Sequence, residues 1–306
     1  MHLIRHLNKP NKIKPCVLTI GNFDGVHLGH KKIITTVKQI AQEENLISAI
    51  LTFEPHPISI FKPELRRNFR INSLSQKLKI FRNYNIDLAI TLPFNHNFSE
   101  LSACDFIKKI LVEQLNIKYL VIGYDFIFGK NRKGNLQLLQ EEAKRYGFNI
   151  INIEAQKNNE QIYSSSSIRN LIQKGKISEA NQVLGHNFTI CGTIKHGKKL
   201  AHTIGFPTAN LKPKTHIIKP KFGVYKVLVH LDNQTKNGIM NFGLKPTIGN
   251  NLEPLYEIHI FDFNQEIYGK KICVELLNFV REEKKFSSLN ALKKQIKKDI
   301  IQVTQF

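Results

Sequence analysis

His27-Leu28-Gly29-His30 sets two imidazoles three residues apart, directly after the apolar run Val17-Leu18-Thr19-Ile20 and the turn Gly21-Asn22-Phe23-Asp24-Gly25. Side chains three apart share one face of a helix, and a turn between strand and helix puts that face at the helix N-terminus. There, unpaired backbone N–H groups and the macrodipole attract phosphate. The pattern predicts a site that holds a polyphosphate. Taken alone, the same residues also fit a plain helix start, with one histidine capping and the other solvated.

A second group lies far downstream. Ser164-Ser165-Ser166-Ser167-Ile168-Arg169 offers several hydroxyls followed by a guanidinium. These donors suit the charge that builds on a leaving pyrophosphate when a nucleotide α-phosphorus is attacked. A serine-rich linker would read similarly, but Ile168, Leu171 and Ile172 are spaced as the start of an amphipathic helix. The chain has no Walker A loop and no Gly-x-Gly-x-x-Gly run that would compete for the phosphate role. These two groups resemble those of the HxGH nucleotidyltransferases, relatives of class I aminoacyl-tRNA synthetases. The resemblance implies adenylyl transfer with no covalent intermediate.

A third group is Gly205-Phe206-Pro207-Thr208-Ala209-Asn210. Thr208 and Asn210 alternate along an extended segment, so both can face one Mg²⁺ and its phosphates. A β-turn entering a strand is the plainer reading of the same string. Glu257 lies in an alternating run in which Tyr256, Ile258 and Ile260 share one face and Glu257, His259 and Phe261 the other. A carboxylate among apolar neighbours is expected to have a raised pKa, useful in a general base. A salt-bridged surface glutamate is the alternative.

With Phe222-Gly223-Val224-Tyr225, Asn241–Thr247 and Tyr256–Phe263, this third group resembles the riboflavin kinase module. From Gly21 to the Lys293-Lys294-Gln295-Ile296 helix, the chain resembles the bacterial bifunctional riboflavin kinase/FAD synthetase family, with the motifs in the same order. The resemblance implies an N-terminal domain that adenylylates FMN to FAD and a C-terminal domain that phosphorylates riboflavin to FMN, each using MgATP. Carried over by position, it puts His27, His30, Arg169 and Glu257 in catalysis, Glu257 as the base for the riboflavin 5′-hydroxyl. ATP would be held by Gly21, Asn22, Phe23, Asp24, Gly25, Gly29, Ser165 and Ser166 in one half, and by Gly205, Pro207 and Thr208 in the other. Mg²⁺ falls to Thr208 and Asn210, and flavin to His56, Asp125 and Arg281. The chain departs from the family at Ala201-His202, where Gly-Arg is usual, leaving a cationic phosphate contact to Lys198 or Lys199. It departs again at Asn135, commonly Asp.

Elements that could position these residues can be read along the chain. Up to about residue 185, β-prone runs (Val17–Ile20, Ser48–Thr52, Leu88–Thr91, Tyr119–Ile122, Asn149–Ile153) alternate with helical ones (Ile33–Glu43, Asp105–Leu115, Leu136–Tyr146). This predicts an α/β domain, a Rossmann-like parallel sheet with crossover helices, over residues 1–185. Ligands bind beyond the carboxyl ends of strands in such sheets, which is where Gly21–His30, Phe53–Pro57 and Gly123–Phe126 fall. After Gly185, short alternating runs separated by Gly, Pro and Asn predict an antiparallel β-barrel over residues 186–306, closed by a helix near Leu289–Ile301.

Composition is consistent with this. The 306 residues allow two domains, and 42% hydrophobic content can bury two cores. No run approaches the ~20 apolar residues of a bilayer span, and the N-terminus lacks a secretory apolar core. A cytoplasmic enzyme with no membrane partner is expected. Cys16, Cys104, Cys191 and Cys273 are widely spaced, predicting buried thiols with no zinc cage or disulfide framework. The net charge of +21 is spread along the chain, which argues against a dedicated nucleic-acid function. Two other readings stay open: a chain with one active module, or an N-terminal module for another phosphomonoester, and a tRNA-associated nucleic-acid-binding protein. Oligomeric state is not legible.

Overall fold

The computed structural model describes residues 1–7, 13–158, 161–196, 205–213, 217–246 and 252–305. The chain divides into two compact units, one of Met1–Arg66 with Asn72–Ser165, the other of Arg67–Ile71 with Ser166–Phe306.

The first unit is built on the strands β1 (His2–Ile4), β2 (Cys16–Ile20), β3 (Ile47–Phe53), β4 (Leu88–Leu92), β5 (Ile117–Gly123) and β6 (Asn149–Ile153), in the order β1-β4-β3-β2-β5-β6. All pairings are parallel. β2 and β4 are buried along their whole length, as apolar strands covered on both faces must be. The helices are α1 (Leu28–Glu43), α2 (Ile58–Phe61), α3 (Leu74–Asn83), α4 (His96–Ser99), α5 (Ala103–Asp105) and α6 (Leu136–Tyr146), and a short hairpin, β7 (Lys157–Asn158) with β8 (Gln161–Ile162), follows the sheet. The sequence predicts an α-helix over Asp105–Leu115. Ser102 caps the start of this stretch, accepting from Asp105 N–H at 3.0 Å, but Phe106–Gln114 winds as a π-helix. The chain order turns back at β2: β3 and β4 lie to one side, β5 and β6 to the other. The crevice beyond the carboxyl ends of β2 and β5 is therefore the topological switch point, the usual place for a ligand in an open parallel sheet.

The second unit holds α7 (Ser165–Gln173) from Ser166 on, α8 (Ile177–Leu184) and a closed antiparallel barrel. Its strands are β9 (Phe188–Lys195), β10 (Ala209–Pro213), β11 (Gly223–Leu231), β12 (Gln234–Pro246), β13 (Leu252–Ile260) and β14 (Lys271–Arg281), ordered β10-β13-β12-β11-β14-β9, with β9 pairing β10 to close the ring. Phe188, Tyr225, Phe242, Ile258 and Val274 fill the interior, and Ile168, Ile172, Ala180 and Leu184 from the two helices share that core. By packing the chain thus divides at Ser165/Ser166, earlier than the change of texture at Gly185. The terminal helix α9 (Leu289–Thr304), capped by Ser288, is tied to the barrel by Arg281, whose Nε and Nη2 donate to the buried Asp299 at 2.9 and 2.7 Å.

The cysteines depart from expectation. Cys191 and Cys273, 82 residues apart, are direct partners in the β9–β14 register and form a disulfide. Only the barrel topology brings them together, so spacing gives no sign of it. Cys104 is exposed, and Cys16 alone is the expected buried thiol, its pKa pushed up to about 12 by burial.

Candidate active sites

In the first unit, β2 ends at Ile20 and the chain turns sharply through Gly21–His27. Gly25 sits at φ +84°, where glycine is at ease, but Phe23 and Val26 also hold positive φ, +47° and +42°. For a β-branched residue this is a strained conformation, of the kind that collects at ligand sites. The turn is held from several sides. Gly21 N–H donates to Leu51 O at 3.0 Å, the Ser165 hydroxyl to Asp24 O at 2.8 Å, and Asn72 N–H to the Asp24 carboxylate at 3.4 Å. Asp24 and Phe23 are both buried.

His27 is the N-cap of α1, its Nδ1 accepting from His30 N–H at 3.4 Å, and the two imidazoles stack at 3.7 Å between centroids. The capping reading and the paired-imidazole reading are thus both met. His30 is not solvated: its Nδ1 is buried without a hydrogen-bond partner. Burial first, then the charges of His27 and Lys77, hold its pKa well below the ordinary histidine range. A Cβ on Gly29 would stand 3.2 Å from the His27 ring, so the glycine is what lets the chain pass so close.

Around the same carboxyl ends lie His56, buried, its Nδ1 accepting from Ile58 N–H at 3.2 Å, and the exposed Asp125 after β5. An aromatic ladder gathers there too: Phe61, Phe94, Phe53 and Phe98 follow one another at 5.5 to 5.8 Å, then Phe106, Phe128 and Phe126 at 5.3 to 6.2 Å. Phe61 and Tyr124 remain more than half exposed. Asn135, the departure from the family pattern, caps α6 by accepting from Leu138 N–H at 3.0 Å, a role aspartate fills equally well.

In the second unit, Arg169 donates from Nε to Phe69 O at 3.0 Å and lies over the Phe69 ring at 3.7 Å. In the barrel, register sets Lys195, Asn210, Glu257 and Asn241 in one row across β9, β10, β13 and β12. Their neighbours Ile194, Leu211, Tyr256, Ile258 and Met240 belong to the barrel core, so the row faces outward. Glu257 is flanked by two carboxamides, not by the apolar neighbours the sequence reading assumed. Asn210 is buried, and its Oδ1 has no hydrogen-bond partner. Beside it, Thr208 and Pro207 line a cavity of about 330 Å³ with Ile258, Asn264 and Tyr268, and His259 Nδ1 lies 2.9 Å from Pro207 O. Gly205 opens the segment at φ +87°. Arg281 is committed to Asp299. Ala201-His202, Lys198 and Lys199 lie outside the described residues.

Residues 9–167 match the family model of FAD synthetase, and residues 184–306 that of riboflavin kinase. Bifunctional riboflavin kinase/FMN adenylyltransferases from Buchnera aphidicola subsp. Schizaphis graminum and Haemophilus influenzae are 40% and 41% identical to this chain. Each alignment covers 98% of this chain and 97% of the relative. The chain belongs to this family. The crystal structure of a macrolide-efflux protein from Streptococcus pneumoniae superposes with a TM-score of 0.89 at 28% identity, covering 100% of this chain and 99% of that one. Among the described residues, no helix is long and apolar enough to cross a membrane.

An unpartnered, buried oxygen beside a carboxylate would suit a hard cation such as Mg²⁺, which takes oxygen ligands. Asn210 Oδ1 meets that description, with the Thr208 hydroxyl two residues before it along the strand entry. Sequence reasoning missed Lys195 and Asn241 as members of the row, the aromatic ladder and Lys77, because register and burial, not local pattern, bring them to the sites.

Proposed function

We propose that the chain phosphorylates riboflavin to FMN at the barrel and adenylylates FMN to FAD at the first unit, both with ATP. The observation that carries this is the near full-length match to bifunctional relatives with both family models present in order. The two sites support it through different chemistry.

At the first unit, a phosphate oxygen of FMN attacks the ATP α-phosphorus. A new P–O–P bond forms, the bond from the α-phosphorus to the bridging oxygen of the β-phosphate breaks, and pyrophosphate leaves. The nucleophile is already ionised at neutral pH, so the step needs alignment and charge stabilisation and no base. Gly21–Gly25 and Gly29 hold the phosphates against the N-terminus of α1, with His27 and His30 beside the developing charge. Ser165, Ser166 and Arg169 are proposed for the β- and γ-phosphates on their motif. The isoalloxazine, a flat aromatic surface, is proposed to lie against Phe61 and the ladder behind it, near His56 and Asp125.

At the barrel, Glu257 takes the proton of the riboflavin 5′-hydroxyl as its oxygen attacks the γ-phosphorus and ADP leaves. Gly205, Pro207 and Thr208 are proposed for ATP. Thr208 and Asn210 would hold Mg²⁺, which when bound neutralises phosphate charge. Arg281 is proposed to serve the flavin through α9, which it anchors. We assign the adenylyltransferase to residues 1–185 and the kinase to 186–306, a boundary of chemistry rather than of packing, and place the enzyme in the cytoplasm. No observation favours a nucleic-acid partner.

A chromatographic time course with riboflavin, ATP and Mg²⁺ tests the reading. FMN should appear first and FAD follow. FMN that accumulates without FAD would mean that only the kinase works. FAD from supplied FMN, but no FMN from riboflavin, would leave the transferase alone.

A further inference from the structure

We propose that Lys77 is a positioning residue for transfer at the first unit, clamping the Asn22 carbonyl and fixing a positive charge beneath the phosphate-binding turn. The proposal rests on the adenylyltransferase reading of that site. Lysine is among the side chains least often fully buried, yet Lys77 is 4% exposed, on the inward face of α3 with Phe81. A complete capping box fixes the start of that helix: Ser73 Oγ accepts from Gln76 N–H, and Gln76 Oε1 accepts from Ser73 N–H at 2.8 Å. The lysine stem therefore leaves from a rigid turn.

Its Nζ donates to Asn22 O at 2.5 Å and to Thr52 Oγ1 at 3.3 Å, and the Thr52 hydroxyl donates to the same carbonyl at 3.3 Å. Asn22 immediately precedes Phe23, the first of the two left-handed non-glycine residues in the turn. A strained turn keeps its shape only while its surroundings over-determine it, and Lys77 holds the end of this one nearest β2. Pinning a carbonyl does not by itself call for an ammonium. A neutral amide donates as well and is far cheaper to bury. What the ammonium adds is charge, and that charge reaches the catalytic pair, since Lys77 and His27 both act electrostatically on His30. A cation held there, away from solvent, favours a polyphosphate over the turn, and favours it more as negative charge grows on the departing pyrophosphate.

Two variants separate the parts of this role. Lys77→Met keeps the stem length but has neither donor nor charge, and Lys77→Gln keeps a donor without charge. FAD formation from FMN and ATP, and FMN formation from riboflavin, are to be measured on the same full-length samples. We expect both variants to lose about 10²-fold in kcat for FAD formation, with KM for ATP changed by less than about tenfold, because the charge acts most strongly in the transition state. FMN formation and the thermal midpoint should stay at wild-type values. The proposal is overturned if Lys77→Gln recovers wild-type kcat, if Lys77→Met keeps it, or if the loss lies in KM alone. A parallel fall of FMN formation or of the thermal midpoint, marking a fold defect, also overturns it. A wild-type chain that forms no FAD from FMN removes the reading of the site and the proposal together; loss in the variants' FAD formation alone supports both.

Discussion

The two phosphate-handling sites are built from different materials. In the first unit the proposed site is made of backbone, a turn and a helix N-terminus, with two stacked imidazoles, of which His30 is held by burial well below the ordinary histidine pKa. In the barrel the proposed site is a set of side chains in one row across neighbouring strands, with a carboxylate between two carboxamides. The difference follows the nucleophile. A phosphate arrives ionised and needs only alignment, whereas a hydroxyl must lose a proton as it attacks, so on the proposed assignments only the second site calls for a base.

The largest test of that contrast is Glu257→Gln, which should lower kcat for FMN formation by ~10²–10⁴, the usual worth of a positioned base. FAD formation from supplied FMN should persist, and if both fell together the separation of sites would be wrong. His30→Ala is the mirror experiment. Loss of one stabilising group at the developing charge should lower FAD formation by about 10²–10³ while riboflavin is still converted to FMN. Asn210→Ala should weaken the Mg²⁺ dependence of the kinase by about 10–100-fold, read as a shift of the Mg²⁺ activation curve, and leave that of FAD formation in place.

The smallest effect is on stability. Below the ordinary histidine pKa of about 6.5, the unfolded chain binds a proton that the folded His30 refuses, so the unfolded state carries more protons and stability falls as pH drops. This contribution is absent above about pH 6.5, grows by at most about 1.4 kcal/mol per pH unit below it, and ends at the folded pKa. Urea midpoints between pH 7 and 5 should fall less steeply in His30→Gln than in the wild type. Equal slopes would show that the imidazole is not held neutral by its surroundings.

What was legible in the sequence was local. The run Val17–Ile20 followed by a glycine turn and His-x-Gly-His gives strand, turn and helix within fourteen residues, and alternation in Tyr256–Phe261 puts Glu257 and His259 on one face without saying which face is outward. What was not legible depends on register or long-range packing. Asn210 and Glu257 stand 47 positions apart in the chain, and nothing in either segment says they are neighbours. The disulfide escapes the sequence for the same reason, and Phe61, Phe94 and Phe128 are scattered along the chain until the sheet gathers them. Nothing in the sequence singles out Lys77, which burial alone tells apart from the other lysines.

The short excursion Arg67–Ile71 belongs to the barrel unit although the chain on both sides of it belongs to the other. Arg70 forms a parallel bridge with Ile217, Ile218 N–H donates to Arg70 O at 2.7 Å, and Ile71 is fully buried in the barrel-unit core. The backbone oxygen of Phe69 is the acceptor for Arg169. A kinase released by cutting at Ser165 would thus be missing a piece of its own interior, encoded almost a hundred residues upstream. No single cut of the chain separates the two units, because this pentapeptide of the barrel unit lies within the sequence of the other.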